Sequence, residues 1–276
     1  MQRFHVALGK GGLASIMCDG VAKRTSSSTW VGAVLGVLRL TSAACVRVNL
    51  TLSGSARLVG IGRGCFRRCT ALFVADLSEC TGLVAIGEAA FSGCSALTAL
   101  HLTGFTALRA IHRDAFRGCG ALAALNLKPC VRLESIGAAA FRFSGLTALS
   151  LSHCAYLATI SEFAFHNCTA LADVDLSACA RLVSIDRAAF RGCAALARLD
   201  LSGCVRLDCI GGDAFRLCAS LSWVDLSGCS RLASIGRSAF HACGALATVD
   251  LSDCVSLAEV QCSAFHGCAS LRALPF

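Results

Sequence analysis

Around residue 200 the chain reads LDLSGCVRLDCIGGDAF, with Leu199 and Leu201 alternating with Asp200 before Cys204, Leu207, Ile210 and Phe215 follow at wider steps. The period-two step predicts a short strand with both leucines on one face and Asp200 on the other. The same two places hold Val174 and Leu176, Val224 and Leu226, and Val249 and Leu251. The remainder of each unit, LxxIGxxAF, is too short for a proper helix. It predicts a brief extended piece and a single 3₁₀-like turn around AFxxC. Gly62, Gly87, Gly137, Gly211 and Gly236 follow the isoleucine and predict a recurring tight bend there.

The unit repeats along most of the chain. Phe66, Phe91, Phe116, Phe141, Phe165, Phe190, Phe215, Phe240 and Phe265 stand 25 residues apart, with one interval of 24 between Phe141 and Phe165. No single unit can bury its own apolar face, but stacked units share one continuous core. The strands are then expected to lie parallel, about 4.8 Å apart. This predicts a solenoid of about nine 25-residue turns over residues 44–276. Residues 1–43 fall out of register and are expected to form an irregular segment or a cap, its apolar 30–38 stretch covering the open end. At the other end LRALPF brings Phe276 to the second strand position with no cap after it. An exposed edge there predicts either a fragment of a longer chain or self-association through that end.

The isoleucine, AF and cysteine signature recurs at Ile86, Ala90, Phe91 and Cys94, at Ile185, Ala189, Phe190 and Cys193, and at Ile235, Ala239, Phe240 and Cys243. It resembles the leucine-rich repeats, most closely the BspA-like type of bacterial and protist surface proteins. The LDLSGC segment at 199–204 also resembles the cysteine-containing repeats of ubiquitin-ligase adaptors. The resemblance runs from about residue 44 to the end. It implies a leucine-rich-repeat solenoid, α/β by convention but mostly β. Parallel β-strands would line the concave face, with short 3₁₀ or extended pieces on the other side. It also implies adhesion or host contact at a cell surface, or substrate recognition within a ubiquitin-ligase-like assembly, although 1–43 shows no adaptor-binding box. Fold likeness alone does not choose among these.

Composition adds constraints. Apolar residues make up 55% of the 276 and charged residues 15%, and Lys plus Arg exceed Asp plus Glu by 8. So diffuse a positive excess attracts nucleic acid, acidic lipid or acidic protein without selecting one. No stretch reaches the roughly 18 to 20 apolar residues a membrane-spanning helix needs. The best candidate, 30–40, is interrupted by Arg39, and MQRFHVALGK makes a poor secretory signal.

Fifteen of the 20 cysteines fall in two columns, Cys69, Cys94, Cys119, Cys168, Cys193, Cys218, Cys243 and Cys268, and Cys80, Cys130, Cys154, Cys179, Cys204, Cys229 and Cys254. Ser144 interrupts the first column and Phe105 the second. A place that accepts phenylalanine is a buried apolar slot, where cysteine packs as a small residue with a weak donor. No CxxC pair exists, the closest pair being Cys65 and Cys69, so no metal and no cofactor is expected. Disulfides between adjacent turns remain an alternative limited by geometry. Reduced thiols point to the cytoplasm or nucleus, whereas the family resemblance points to the cell surface or secretion.

Protein binding is the expected work. The outward strand row reads Asp76, His101, Asn126, Ser150, Asp175, Asp200, Asp225 and Asp250. Adjacent aspartates about 5 Å apart repel by about 0.8 kcal/mol even at the dielectric of water. Either local hydrogen bonds, Asp to the following Ser, or a basic partner must offset this. Two positions earlier the row varies most, ending in Asp173, Arg198, Trp223 and Thr248. Trp and Arg are enriched where binding energy concentrates, so Asp173, Asp175, Arg198, Asp200, Trp223, Asp225 and Asp250 are the candidate protein-binding residues.

Basic residues follow the marker phenylalanine at Arg67, Arg117, Arg142, His166, Arg191, Arg216, His241 and His266, and a second row holds Arg57, Arg132, Arg181, Arg206 and Arg231. Without interleaved aromatics or a recognition helix these rows argue against nucleic acid. Nothing supports catalysis: ALGKGG lacks the phosphate-loop frame, and no Ser, His and Asp grouping stands out. The chain is therefore expected not to be an enzyme.

Overall fold

Each repeat supplies one short strand to each of two ladders that run along the molecule. The computed structural model describes residues 48–52 and 58–272, together with the strands β1 (Phe4–Leu8), β2 (Ala14–Cys18) and β3 (Val21–Thr25). The first ladder contains β4 (Val48–Thr51), β6 (Leu72–Asp76), β8 (Ala99–His101), β11 (Ala148–Ser150), β13 (Asp173–Asp175), β15 (Arg198–Asp200), β17 (Trp223–Asp225) and β19 (Thr248–Asp250). Its pairing is parallel, and parallel bridges through Ala124 join β8 to β11. The second ladder is β5 (Gly60–Ile61), β7 (Ala85–Ile86), β9 (Ala110–Ile111), β10 (Ser135–Ile136), β12 (Thr159–Ile160), β14 (Ser184–Ile185), β16 (Cys209–Ile210), β18 (Ser234–Ile235) and β20 (Glu259–Val260). These nine two-residue pieces are also parallel, in the order of the chain. The molecule is a leucine-rich-repeat solenoid without a helix among its described residues.

Near the start, β1 pairs in parallel with β4 and antiparallel with β2, which pairs antiparallel with β3. The N-terminal residues at these positions are therefore strands that extend the first ladder. The apolar 30–38 stretch and the last residues, 273–276, lie outside the described residues.

The core is the stack itself. From Phe91 to Phe240 every marker phenylalanine is fully buried, and successive rings lie 4.9 to 5.3 Å apart. Rings 25 residues apart in sequence thus touch face to face, each coil completing the pocket of its neighbour. The missing residue between Phe141 and Phe165 is absorbed after Ser144, where Gly145 follows at once by Leu146. A side chain at Gly145 would place its Cβ 2.1 Å from the Gly120 carbonyl oxygen, so only glycine permits the shortcut.

The turns around AFxxC carry the single i to i+3 turns expected there and add left-handed residues to them. Hydrogen bonds of the i to i+3 kind do occur, as from Cys94 N to Phe91 O. Left-handed residues two places before and two places after the marker keep them from propagating as a 3₁₀ helix. Ala89, Asp114, Ala139, Phe163, Ala188, Asp213, Ser238 and Ser263 take positive φ before it, and Arg68, Phe143, Asn167, Leu217 and Ala242 after it. The reversal aims their N–H groups along the stack. Ala89 N donates to Arg113 O, Phe91 N to Ala115 O and Gly93 N to Arg117 O, so the turns form a third hydrogen-bonded side. Holding a non-glycine residue left-handed costs roughly 1–2 kcal/mol, which these otherwise unmade bonds offset.

The glycines after the isoleucine open the tight turn expected of them, Gly87 O accepting from Ala90 N and Gly211 O from Ala214 N, and most of them play a second part. None of Gly62, Gly87, Gly137, Gly211 and Gly236 has positive φ, but a Cβ on Gly87 would sit 2.4 Å from Ile61 O, and one on Gly211 2.6 Å from Arg187 N. At Gly87, Gly137, Gly211 and Gly236 close approach of the preceding coil's backbone selects glycine, whereas Gly62 faces only Cys65 Sγ of its own coil.

This distinction predicts substitutions of opposite sign. Leu217 is exposed and left-handed at φ 63°, so Leu217→Gly is expected to leave stability unchanged or raise it by up to about 1 kcal/mol. Gly192→Ala, at φ +74° in the same column, is expected to lower it by about 1–2 kcal/mol. Urea midpoints of the two variants check this, and equal shifts in one direction would refute the left-handed assignment.

Candidate binding surface

The sequence-predicted residues of the strand face come together as two adjacent rows. Asp175, Asp200, Asp225 and Asp250 stand side by side across β13, β15, β17 and β19 in direct register. Their mutual repulsion is met locally. The backbone N–H of Ser177, Ser202, Ser227 and Ser252 donates to Oδ1 of the aspartate two residues earlier at 2.9 to 3.1 Å. The Ser177 and Ser202 hydroxyls donate to the same oxygens at 2.6 and 2.7 Å. Asp76 is held in the same way by Ser78. At Asp250 the Ser252 backbone N–H and then its hydroxyl hold the carboxyl below the ordinary carboxylate range. The LDLS word thus supplies its own hydrogen-bond donors to one oxygen of each carboxylate.

In the neighbouring row Arg198 pairs with Trp223 across β15 and β17, and its guanidinium carbon lies 5.4 Å from the ring centroid. Asp173 and Thr248 flank this pair and are exposed. Trp223 is half-buried, its indole steadied on one side by the arginine.

The cysteine columns supply no reactive group to this face. Their thiols point inward and donate to carbonyls of the preceding coil, as Cys94 Sγ does to Phe66 O at 3.0 Å and Cys229 Sγ to Leu201 O at 3.2 Å. The same bond recurs at Cys119, Cys168, Cys193, Cys218, Cys243 and Cys268 on the phenylalanine side and at Cys80, Cys179, Cys204 and Cys254 on the leucine side. Burial pushes the thiols up, Cys119, Cys130, Cys179 and Cys229 to about 12 and Cys154 and Cys168 to about 11. A protonated, enclosed thiol is a poor nucleophile and a poor metal ligand. Among the described residues no group of three or more His, Cys, Asp or Glu side chains is placed to hold a metal ion.

The basic row after the marker phenylalanine lies on the turn side. Arg67 and Arg117 are exposed, whereas Arg142, Arg191 and Arg216 are half-buried. Arg117 and Arg216 reach Asp114 and Asp213 at 3.5 and 3.2 Å. One aromatic, Phe143, adjoins this row in the sequence, and the fold brings a second, Phe163, to it. Arg142 lies 4.8 Å from the Phe143 ring centroid and 5.7 Å from that of Phe163, and both rings contact His166. Phe143 and Phe163 occupy the two left-handed columns, a placement that the repeat period alone does not reveal. Burial, then Arg142 and Arg191, push the His166 pKa below its ordinary value.

Two surface hollows lie among the described residues. One, of about 320 Å³, is lined by Glu134, Tyr156, Ala158, Arg181, Val183 and Arg206, with Arg181 stacked 4.6 Å over Tyr156. The other, of about 310 Å³, gathers Arg187, Gly212, Asp213, Arg216, Arg237 and Ser238. Of these only Arg181, Arg206 and Arg216 belong to the basic rows seen in the sequence. The signal for the second hollow was present as Gly212, a glycine in a column that carries Arg187 and Arg237 on either side.

A family model described as a BspA type leucine rich repeat region matches residues 45–156 and 134–272, in six copies. A search of curated proteins finds no significant match. Among solved structures, the chain is similar to a leucine-rich repeat protein of T. pallidum, at 23% identity over 67% of this chain and 78% of that one, with a TM-score of 0.45. It is similar also to a leucine-rich repeat protein from Bacteroides ovatus, at 18% identity over 97% of this chain and 79% of that one, with a TM-score of 0.49. A third, the functional domain of InlJ from Listeria monocytogenes, which includes a cysteine ladder, is 15% identical over 76% of this chain and 50% of that one, with a TM-score of 0.30.

Proposed function

Because the chain belongs to the BspA-type leucine-rich repeat family, we propose that it is a non-catalytic module that binds a protein partner through the strand-lined face. Repeats of this family typically mediate protein interaction or surface adhesion, and leucine-rich repeat proteins are generally scaffolds without catalysis. The observation that carries the choice of face is the Arg198–Trp223 pair standing beside four carboxylates in register. A half-buried, pre-stacked indole loses little freedom on binding, which is what an anchor residue requires. Asp175, Asp200, Asp225 and Asp250 select a partner with a basic complement, and Asp173 extends that preference to the rim. Among the described residues no helix is long and apolar enough to cross a membrane.

A photo-crosslinking residue at exposed Thr248 tests the face against one placed at exposed Arg113 on the turn side. The expected result is a partner captured from Thr248 and not from Arg113. For that partner Trp223→Ala is expected to weaken binding at least about tenfold, an effect of about 1.4 kcal/mol or more. Asp200→Asn is expected to weaken it less and to reduce its salt dependence. Capture from Arg113 alone, or a Trp223→Ala effect within about twofold, would discard this face.

A further inference from the structure

Two places after the repeat isoleucine, successive coils carry Arg63, Glu88, Arg113, Ala138, Glu162, Arg187, Gly212 and Arg237. Gly212 therefore leaves a gap in a row of mostly long, charged side chains, between Arg187 of the coil before and Arg237 of the coil after. The gap is the hollow of about 310 Å³ lined by Arg187, Asp213, Arg216, Arg237 and Ser238. Three guanidinium groups face one carboxylate, and Asp213 is already engaged by Arg216 at 3.2 Å. Other arginines of the same column find acids, Arg63 meeting Glu88 at 3.1 Å and Arg113 meeting Asp114 at 3.5 Å. Arg187 and Arg237 have no such ion pair among the described residues, and Arg216 Nε is buried without a hydrogen-bond partner. Cations gathered at one hollow repel unless an anion enters, and guanidinium forks match tetrahedral oxyanions in geometry.

We propose that the Gly212 hollow binds a phosphate or sulfate ester carried on a sugar-sized group, with Arg187, Arg216 and Arg237 holding the anion. A bare oxyanion would occupy only part of this volume, which falls at the lower end of small-ligand sites. The Ser238 hydroxyl on the lining offers a hydrogen bond to the sugar. The site belongs to the turn side, away from Trp223, so it operates whether or not the strand face is occupied.

Calorimetric titration of the whole chain with glucose 6-phosphate, glucose 6-sulfate, unsubstituted glucose and inorganic phosphate tests this. Both esters are expected to bind, glucose not at all, and inorganic phosphate at least about fivefold more weakly than the esters. Gly212→Glu puts a carboxylate into the gap, at a place where other coils already carry Glu88 and Glu162. That variant and Arg237→Gln are each expected to lose at least about tenfold in affinity, while Lys128→Gln on the strand side keeps it. Far-ultraviolet dichroism establishes that each variant is folded. Three results would overturn the assignment: no ester binding below about 10 mM, an equal loss in Lys128→Gln, or binding that vanishes for all anions alike at about 0.15 M salt. Inorganic phosphate binding as tightly as the esters would remove the sugar from it.

Discussion

The reduced chain is expected to unfold cooperatively between pH 9 and about pH 10, well below the range in which most proteins fail in alkali. Burial raises about ten fully enclosed thiols, among them Cys119, Cys130, Cys154, Cys168, Cys179 and Cys229. An unfolded thiol ionises near its ordinary value of about 8.5, so above that pH the unfolded chain releases protons that the folded chain retains. The stability is fully present below the unfolded value and is lost as pH climbs toward the folded values of about 11 and about 12. For about ten thiols the loss reaches roughly 8 kcal/mol by pH 9 and then grows by about 14 kcal/mol per pH unit, against a typical total of 5–15 kcal/mol. A single tyrosine leaves little else to titrate in that window. Dichroism followed from pH 7 to 11 under reductant measures the effect. A chain that stays folded to pH 11 under reductant would mean that the enclosure of these thiols does not couple their ionisation to unfolding.

Phe165→Ala is expected to destabilise the chain by about 3–5 kcal/mol, several times the cost of Phe265→Ala. Phe165 is fully buried and stacks on both sides, 5.2 Å from Phe141 and 4.9 Å from Phe190. Alanine would leave a cavity that cannot collapse, because three hydrogen-bonded sides hold the neighbouring coils at fixed separation. Phe265 is only partly buried and, among the described residues, stacks on Phe240 alone, at 5.2 Å, so its loss is expected to cost about 1–2 kcal/mol. Because coils interact with nearest neighbours, the Phe165 variant should also broaden the urea transition as the two halves separate. Equal losses for the two variants would show that the ring stack is not what binds coil to coil.

Much of the strand face was legible in the sequence for a simple reason. A strand alternates with period two and the coils repeat at 25, so Asp175, Asp200, Asp225 and Asp250 had to share a row once the strands were parallel. The same regularity put Trp223 beside Arg198, and the expectation that LDLS carries its own hydrogen bonds is met by Ser177, Ser202, Ser227 and Ser252. Where backbone conformation departs from strand, residue type was a poor guide. Alanine, phenylalanine and leucine rarely adopt positive φ, and only the bonds to the next coil make it worthwhile at Ala89, Phe163 and Leu217.

By itself the sequence determined the repeat, its 25-residue period, the inward and outward places on each strand and the membership of the cysteines in the core. Period and alternation are properties of one coil, and one coil is local in the chain. The tertiary structure decided which turn residues are left-handed, which carbonyls the thiols reach, and that Arg187, Arg216 and Arg237 converge on the space above Gly212. Each of these depends on contact between coils, where neighbours in space lie some 25 residues apart in the chain and the balance is struck between them.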